Sequence, residues 1–431
     1  MWQLTLFEIV RYIVAFFVII TLLKNITFLI IAPFYPIIEK RRYLKYLVSA
    51  PARQRRLDQS PKVSIIVPAW NEEVGIIKTI SSVIQNGYIE YELIIVNDGP
   101  TDRTSEICEQ YVRKLYGMGL ITLHNIKVIN QANGGKGAAL NTGLSRATGE
   151  IVLTLDADSA LKPGALENLV RYYHDDKIMA VVGSVEVSNT KTLVGFAQQL
   201  EYYFGFYNKR AHAVLGAEYI FGGACASFRR SVFDTVGVFD TKNKTEDIEM
   251  SMRIRAAGFK CTYAEDVVCY TEGASDIKSL ISQRVRWKKG RLDTFVKYKR
   301  LFYSTADEHN FFLTFFILPF SLLTEIQLAF EPIAIAILIT YSFITGEFLS
   351  LAIGITSIFL VYVIVSLFHN THPRPGLVLL FPFTWPLFYL LDWIEWLALF
   401  RSLILIKSGK DVVWQTWNRQ GLQDKKQKVA P

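Results

Sequence analysis

The chain has 431 residues, 51% of them hydrophobic, and a formal net charge of +8. That apolar share is high for a wholly water-soluble enzyme, and the basic surplus comes without any zinc-finger or recognition-helix pattern, so nucleic acid is excluded as the expected partner. Cys108, Cys225, Cys261 and Cys269 have no paired CxxC spacing, which excludes a zinc site and a disulfide framework.

The apolar residues concentrate at the two ends, and the chain divides into 1–38, 39–60, 61–300, 301–406 and 407–431. The first block holds an apolar run over about 7–31, interrupted by Arg11 and Lys24. It is long enough to cross a bilayer core, too long for the core of a cleaved signal, and lacks a small-residue cleavage site. Lys40, Arg41, Arg42, Lys45, Arg53, Arg55 and Arg56 follow it, which places residues 39–60 on the cytosolic face by the positive-inside rule. The expected location is the cell membrane, multi-pass, with a cytosolic central domain.

Within 61–300 the pattern alternates. Residues 62–68 (KVSIIVP) read as a buried strand, 72–85 as a helix and 91–97 (YELIIVN) as a second strand, with another helical stretch from Thr101. Residues 127–129 and 150–155 add strands, with a helix over 136–147 between them, and 163–173 and 193–215 read as helices. Such alternation predicts an α/β domain with a doubly wound, largely parallel sheet, whose ligands bind beyond the carboxyl ends of the strands. Those ends carry Glu72, Asp98 and Asp156-Ala157-Asp158. The block 301–406 breaks at Glu331-Pro332, Gly346-Glu347, 369–376 and 382–386, giving transmembrane segments and others that lie along the interface.

Several short motifs carry chemistry. Asp156 and Asp158, two apart at a strand end, suit one hard cation, magnesium or manganese, with its phosphates; an ordinary turn uses the same residues. Asp98 either receives hydrogen bonds from a nucleotide or simply forms a turn with Gly99. Lys136, in Asn133-Gly134-Gly135-Lys136-Gly137, opens a helix and would face diphosphate, but the segment does not match the P-loop. Thr245-Glu246-Asp247 caps a helix and also offers a carboxylate base. Gln283-Arg284-Val285-Arg286-Trp287 reads either as a basic helix on lipid headgroups or as a site for phosphate oxygens and a flat sugar face. Trp414-Gln415-Thr416-Trp417-Asn418-Arg419 repeats that mixture, with interfacial anchoring as the alternative.

Taken together and in order, Asp98, Asp156-Ala157-Asp158, Thr245-Glu246-Asp247 and Gln283 to Trp287 resemble the membrane-integrated, processive family 2 glycosyltransferases, such as hyaluronan, cellulose, chitin and poly-N-acetylglucosamine synthases. The resemblance implies a cytosolic domain of the GT-A type. It further implies that Asp98 binds uridine, and that Asp156 and Asp158 hold the nucleotide and its metal, with Lys136 near the donor. Asp247 would be the catalytic base, and Gln283 and Arg286 would hold the diphosphate. Glu246, Trp287 and Cys225 fall on the acceptor side. The tail looks like a gating segment through Trp414, Thr416 and Arg419, with Gln415 where glycine is usual and Asn97-Asp98-Gly99-Pro100 in place of Asp-Asp-Gly-Ser.

The expected activity is inverting polymerisation of a UDP-sugar, best matched by UDP-N-acetylglucosamine, into a β-linked polysaccharide moved across the bilayer. Partners are the donor, the growing polysaccharide and the lipid, with room for an accessory subunit. Transfer of one sugar to a lipid acceptor keeps the same motifs. A transporter or scaffold would leave Asp247 without use.

Overall fold

The computed structural model describes residues 16, 19–49, 60–121, 125–368, 385–412 and 421–422. An apolar helix, Ile19–Lys45, tightens to a 3-10 turn at Ala32–Phe34 around Pro33 and continues as α1, Tyr35–Ser49. Ile19, Leu23, Ile26 and Ile30 are exposed, whereas Phe28, Ala32 and Tyr35 are buried. The helix therefore has one apolar side exposed and one side docked on the domain below.

That domain starts with β1 (Val63–Ala69), α2 (Ile76–Ile84), β2 (Tyr91–Asp98), α3 (Thr104–Gly117), β3 (Ile126–Gln131), α4 (Lys136–Arg146) and β4 (Ile151–Thr154). It continues with β5 (Ser159–Leu161), α5 (Ala165–Tyr172), β6 (Ile178–Val187), α6 (Leu193–Val214), β7 (Ala226–Arg229), α7 (Val232–Val236), α8 (Glu246–Ala256) and β8 (Lys260–Thr271). The central strands are continuous apolar runs because both of their faces are covered. Val63, Ile65 and Val67 pack with Ile76, Ile80 and Val83 of α2 on one side. Ile66, Ile94 and Val152 pack with Leu140 and Leu144 of α4 on the other.

The eight strands form one sheet in the order β3-β2-β1-β4-β7-β6-β8-β5. The expected largely parallel direction holds for six of the eight strands, β1 to β4, β6 and β8, and fails for the other two. β3, β2, β1 and β4 are mutually parallel, but β7 runs against both β4 and β6 and β5 runs against β8. The sheet is mixed because two short strands reverse. Periodicity reports that a segment is extended and not which way it runs. A turn closed by Ser159 N–H on the Asp156 carbonyl, 3.0 Å, sends β5 away from β4. Strand order reverses at β1, between β2 and β4, so the crevice beyond their carboxyl ends lies where Asp98 and Asp156 sit.

The long α6 is capped by Thr192 Oγ1, which accepts from Gly195 N–H at 3.0 Å. Tyr207 and Ala211 of α6 bury Phe28 and Ala32 of the N-terminal helix in a third core. After β8, Asp276 caps α9 (Ile277–Lys297) by accepting from Ser279 N–H at 2.8 Å. A π-helical turn at Leu313–Ile317 leads into α10 (Leu318–Leu328), α11 (Glu331–Thr345), α12 (Leu349–Phe368) and α13 (Trp385–Lys407). Among the described residues, Ile19–Lys45 alone is long and apolar enough to cross a bilayer as a single helix; Leu313–Leu328 and Glu331–Thr345 meet the same test together, with a 50° bend between them.

Candidate active site

At the end of β2 the Asp98 carboxylate is 3% exposed. Oδ1 accepts from Gln131 Nε2 at 2.7 Å and Gly134 N–H at 2.8 Å, and Oδ2 from Gly135 N–H at 2.8 Å. Asn133 Nδ2 donates to the Asp98 carbonyl at 3.0 Å. Asp98 thus fastens the Asn133-Gly134-Gly135 loop to the sheet and fixes the point where α4 begins. The first residue of α4 is Lys136. Its Nζ lies 2.6 Å from Asp156 Oδ1, beyond β4, and 3.5 Å from Glu246 Oε1 at the start of α8. Burial alone would lower the Lys136 pKa, but Asp156, Glu246 and Asp247 more than reverse this and raise it.

Glu246 is 2% exposed, and its Oε1 has no hydrogen-bond partner. Burial, opposed by Lys136 and reinforced by Asp247, pushes its carboxyl up to about 7. Asp247 is held differently: Oδ1 accepts from Ile248 N–H at 2.9 Å and Oδ2 from Gly223 N–H at 2.9 Å. Gly223 belongs to the loop after Phe221 and lies against both charged groups. A Cβ there would lie 2.7 Å from Lys136 Nζ and 3.4 Å from Asp247 Oδ2. The sequence identified this loop as acceptor-side without showing that its amide holds Asp247. Cys225, expected to touch the acceptor, is 1% exposed and packs in the core; the apolar surroundings of a small thiol account for this, and Gly223 is the loop residue that reaches the carboxylates.

Asp158 accepts from Ser159 Oγ at 3.2 Å and Thr271 Oγ1 at 3.4 Å. Asp156, Glu246 and Asp247 face the Lys136 ammonium, and Asp158 lies two residues beyond Asp156 at the same strand end, so the local carboxylates suit a divalent cation. Among the described residues no three His, Cys, Asp or Glu side chains gather as a ready-made metal cage. Two carboxylates at a strand end fit an ion that takes its remaining oxygens from diphosphate and water. Tyr202 of α6 lies within the field of Asp156, Asp158 and Arg284, and burial pushes its phenol up to about 12. Nothing in the local sequence around Tyr202 distinguished it from a core aromatic.

The helix α9 brings Arg286 to the same crevice. Gln283 is buried with Oε1 unpartnered, and Arg286 is close enough to oppose the raised pKa of Glu246. The two guanidiniums separate: Arg284 is committed to carboxylates, with Nη1 2.7 Å from Glu201 Oε1 and Nη2 2.6 Å from Glu201 Oε2. Trp414, Thr416 and Arg419 lie outside the described residues. On either side of them, Asp411 pairs with Lys289 of α9 at 3.2 Å, and the Leu422 carbonyl accepts from Lys78 Nζ of α2 at 2.6 Å.

Comparison with known proteins gives the family and the fold. Residues 64–237 match the family described as glycosyl transferase family 2, and residues 151–405 match glycosyl transferase family group 2. A poly-beta-1,6-N-acetyl-D-glucosamine synthase of Staphylococcus epidermidis is 28% identical over 380 residues, 84% of this chain and 88% of that protein. The synthase of the same description from Staphylococcus aureus (strain COL) is 30% identical over 59% of this chain and 60% of its own length. A solved structure of a mannosyltransferase from Pyrobaculum calidifontis, in complex with GDP-Man and Mn2+, shares the fold, with a TM-score of 0.54, 21% identity and coverage of 90% of this chain and 100% of that one.

Proposed function

Because the chain belongs to glycosyl transferase family group 2, we propose that it polymerises N-acetylglucosamine from its UDP donor into a β-linked polysaccharide at a membrane and passes the product across. The observation that carries this reading is the convergence of Lys136, Asp156, Glu246 and Asp247 with the Gly223 amide at one crevice. The similarity to poly-beta-1,6-N-acetyl-D-glucosamine synthases over 84% of the chain supports the choice of sugar.

Asp247, its carboxylate aligned by the amides of Gly223 and Ile248, takes the proton from the acceptor hydroxyl. The freed oxygen attacks the anomeric carbon, and the bond to the diphosphate breaks on the opposite face, inverting the centre. Gln283 and Arg286 receive the departing diphosphate, and Trp287 offers its ring to the acceptor sugar. Asp156 and Asp158 are the residues that would hold magnesium or manganese, which supplies charge neutralisation on the leaving group. Asp98 holds the nucleotide-side loop and lies where uridine would bind. Asp411 and Leu422 anchor the two flanks of the tail motif on α9 and α2, an attachment that supports a gating role for Trp414, Thr416 and Arg419. The N-terminal helix is read as a membrane crossing, and the bent pair Leu313–Leu328 and Glu331–Thr345 with the apolar α12 as a crossing out and back, which returns the tail to the cytosolic face of the catalytic domain.

The test uses purified protein in lipid, a divalent cation and labelled UDP-N-acetylglucosamine, with product length as readout beside an Asp247→Asn control. Long product is expected, with turnover reduced about 10²- to 10⁴-fold in the control. A single-sugar lipid product would replace polymerisation with transfer to lipid.

A further inference from the structure

The α9 helix has a second face whose purpose the reaction above does not explain. Arg284, Lys288 and Arg291 lie on one stripe, spaced four and three residues apart, and all three are committed to carboxylates from other helices. Arg284 forms a two-pronged pair with Glu201 of α6 at 2.7 and 2.6 Å, and its Nη1 lies 3.1 Å from Glu395 Oε1 of α13. Lys288 sits 3.1 Å from Glu395 Oε2 and 2.7 Å from Glu325 Oε2 of α10. Arg291 closes the series on Glu325 Oε1 at 3.0 Å. Glu201, Arg284, Glu395, Lys288, Glu325 and Arg291 therefore alternate in sign along one chain of contacts. Ser402 of α13 adds a hydrogen bond to the Val285 carbonyl at 3.0 Å.

One member of this series touches Trp287, one turn further along the same helix. The Arg284 guanidinium carbon lies 4.7 Å from the centroid of the Trp287 ring. A guanidinium is planar, and when its donors are fixed by two carboxylates its plane is fixed as well. Burial alone would lower the Arg284 pKa, but Glu201 and Glu395 reverse this, so the group stays charged against the indole.

We propose that Arg284, clamped by Glu201 and Glu395, is a positioning residue that sets the orientation of the Trp287 ring and so controls acceptor binding, while the adjacent Arg286 serves the donor. This rests on the reading of Trp287 as the acceptor platform. Lysine at position 284 would keep the charge but lose both the two-pronged geometry and the flat contact with the ring. Glutamine at 201 or 395 would keep side-chain shape and loosen the clamp.

The experiment measures initial rates for the full chain in lipid vesicles, with donor concentration and a short N-acetylglucosamine oligosaccharide acceptor varied separately. Arg284→Lys, Glu201→Gln, Glu395→Gln, Trp287→Ala and the Arg284→Lys/Trp287→Ala pair are compared. Each of Arg284→Lys, Glu201→Gln and Glu395→Gln is expected to raise the acceptor KM about five- to tenfold, the scale of a lost cation-ring contact, with donor KM within about twofold. In the double variant, Arg284→Lys adds no further loss to Trp287→Ala, as two residues acting through one contact require. A raised donor KM with an unchanged acceptor KM in Arg284→Lys would overturn the proposal and make Arg284 a phosphate ligand. Additive losses in the double variant would also overturn it. An unchanged acceptor KM in Trp287→Ala would instead remove the acceptor platform itself, and the inference with it. Glu201→Gln and Glu395→Gln, which loosen the clamp and leave Arg284 in place, keep the test open where Arg284→Lys does not fold.

Discussion

Glu246 and Asp247 are neighbours in sequence and sit in opposite environments. Asp247 has an amide N–H on each oxygen, whereas Glu246 is buried with Oε1 accepting no hydrogen bond and lying 3.5 Å from Lys136 Nζ. A carboxyl whose folded value lies near 7, against an ordinary 4.5, binds its proton more tightly folded than unfolded. Its contribution to stability is therefore fullest below about pH 4.5 and is lost as the pH rises toward about 7. Melting temperature followed between about pH 5 and pH 8 should accordingly fall less steeply in Glu246→Gln than in the parent chain; equal slopes would show that Glu246 titrates normally. The pair was legible as a motif, since Thr245-Glu246-Asp247 stands before a helix. Which carboxylate is desolvated was not legible, because that depends on Lys136 and the Gly223 loop, which reach the site from other parts of the chain.

Two helices meet where the catalytic motifs touch. The α8 and α9 helices approach at Gly290, where a Cβ would lie 1.8 Å from Thr245 Oγ1 and 2.7 Å from Thr245 Cβ. The second of these atoms is fixed to the backbone of the motif, so the clash cannot be relieved by rotating a flexible end. Gly290→Ala should cost about 1 to 3 kcal/mol in unfolding free energy, the range for overpacking a tight contact, and lower activity by moving Gln283 and Arg286 away from Asp247. An unchanged denaturation midpoint and rate would refute this close packing. At this scale the sequence was a good guide where the apolar run was unbroken: the strands expected at 62–68 and 91–97 are Val63–Ala69 and Tyr91–Asp98. The helix expected from residue 72 begins only at Ile76. Asn71 takes a positive φ of 56°, and the Glu72 amide donates to Thr104 Oγ1 at 2.7 Å, so the first turn is spent on a loop contact with α3. The β5 and β7 strands, three and four residues long, carry too little periodicity to be assigned a direction. The carboxylates at 201, 325 and 395 were illegible as partners because each lies on a different helix.

For the whole molecule, the excess of apolar residues seen in the composition becomes surface. Leu23 is 59% exposed and Ile30 61%, and Ile337, Phe343, Ile344 and Leu349 are 64%, 73%, 79% and 71% exposed. Water would oppose so much exposed apolar area, and lipid would cover it. The protein should therefore stay in the membrane pellet through high salt and alkaline wash and be released only by detergent; release by salt alone would make it a peripheral protein. The sheet adds a consequence for synthesis. β3, β2, β1 and β4 can pair as soon as Thr154 has left the ribosome, whereas β5 has no partner until β8, where Ser159 meets Thr271. The nascent chain thus holds one finished half-sheet beside a second half with open edges for the time it takes to make β6 through β8. Contacts of such long sequence separation slow folding, and unpaired edges invite wrong partners. A chain stopped before β8 would keep its first parallel block and associate through its second.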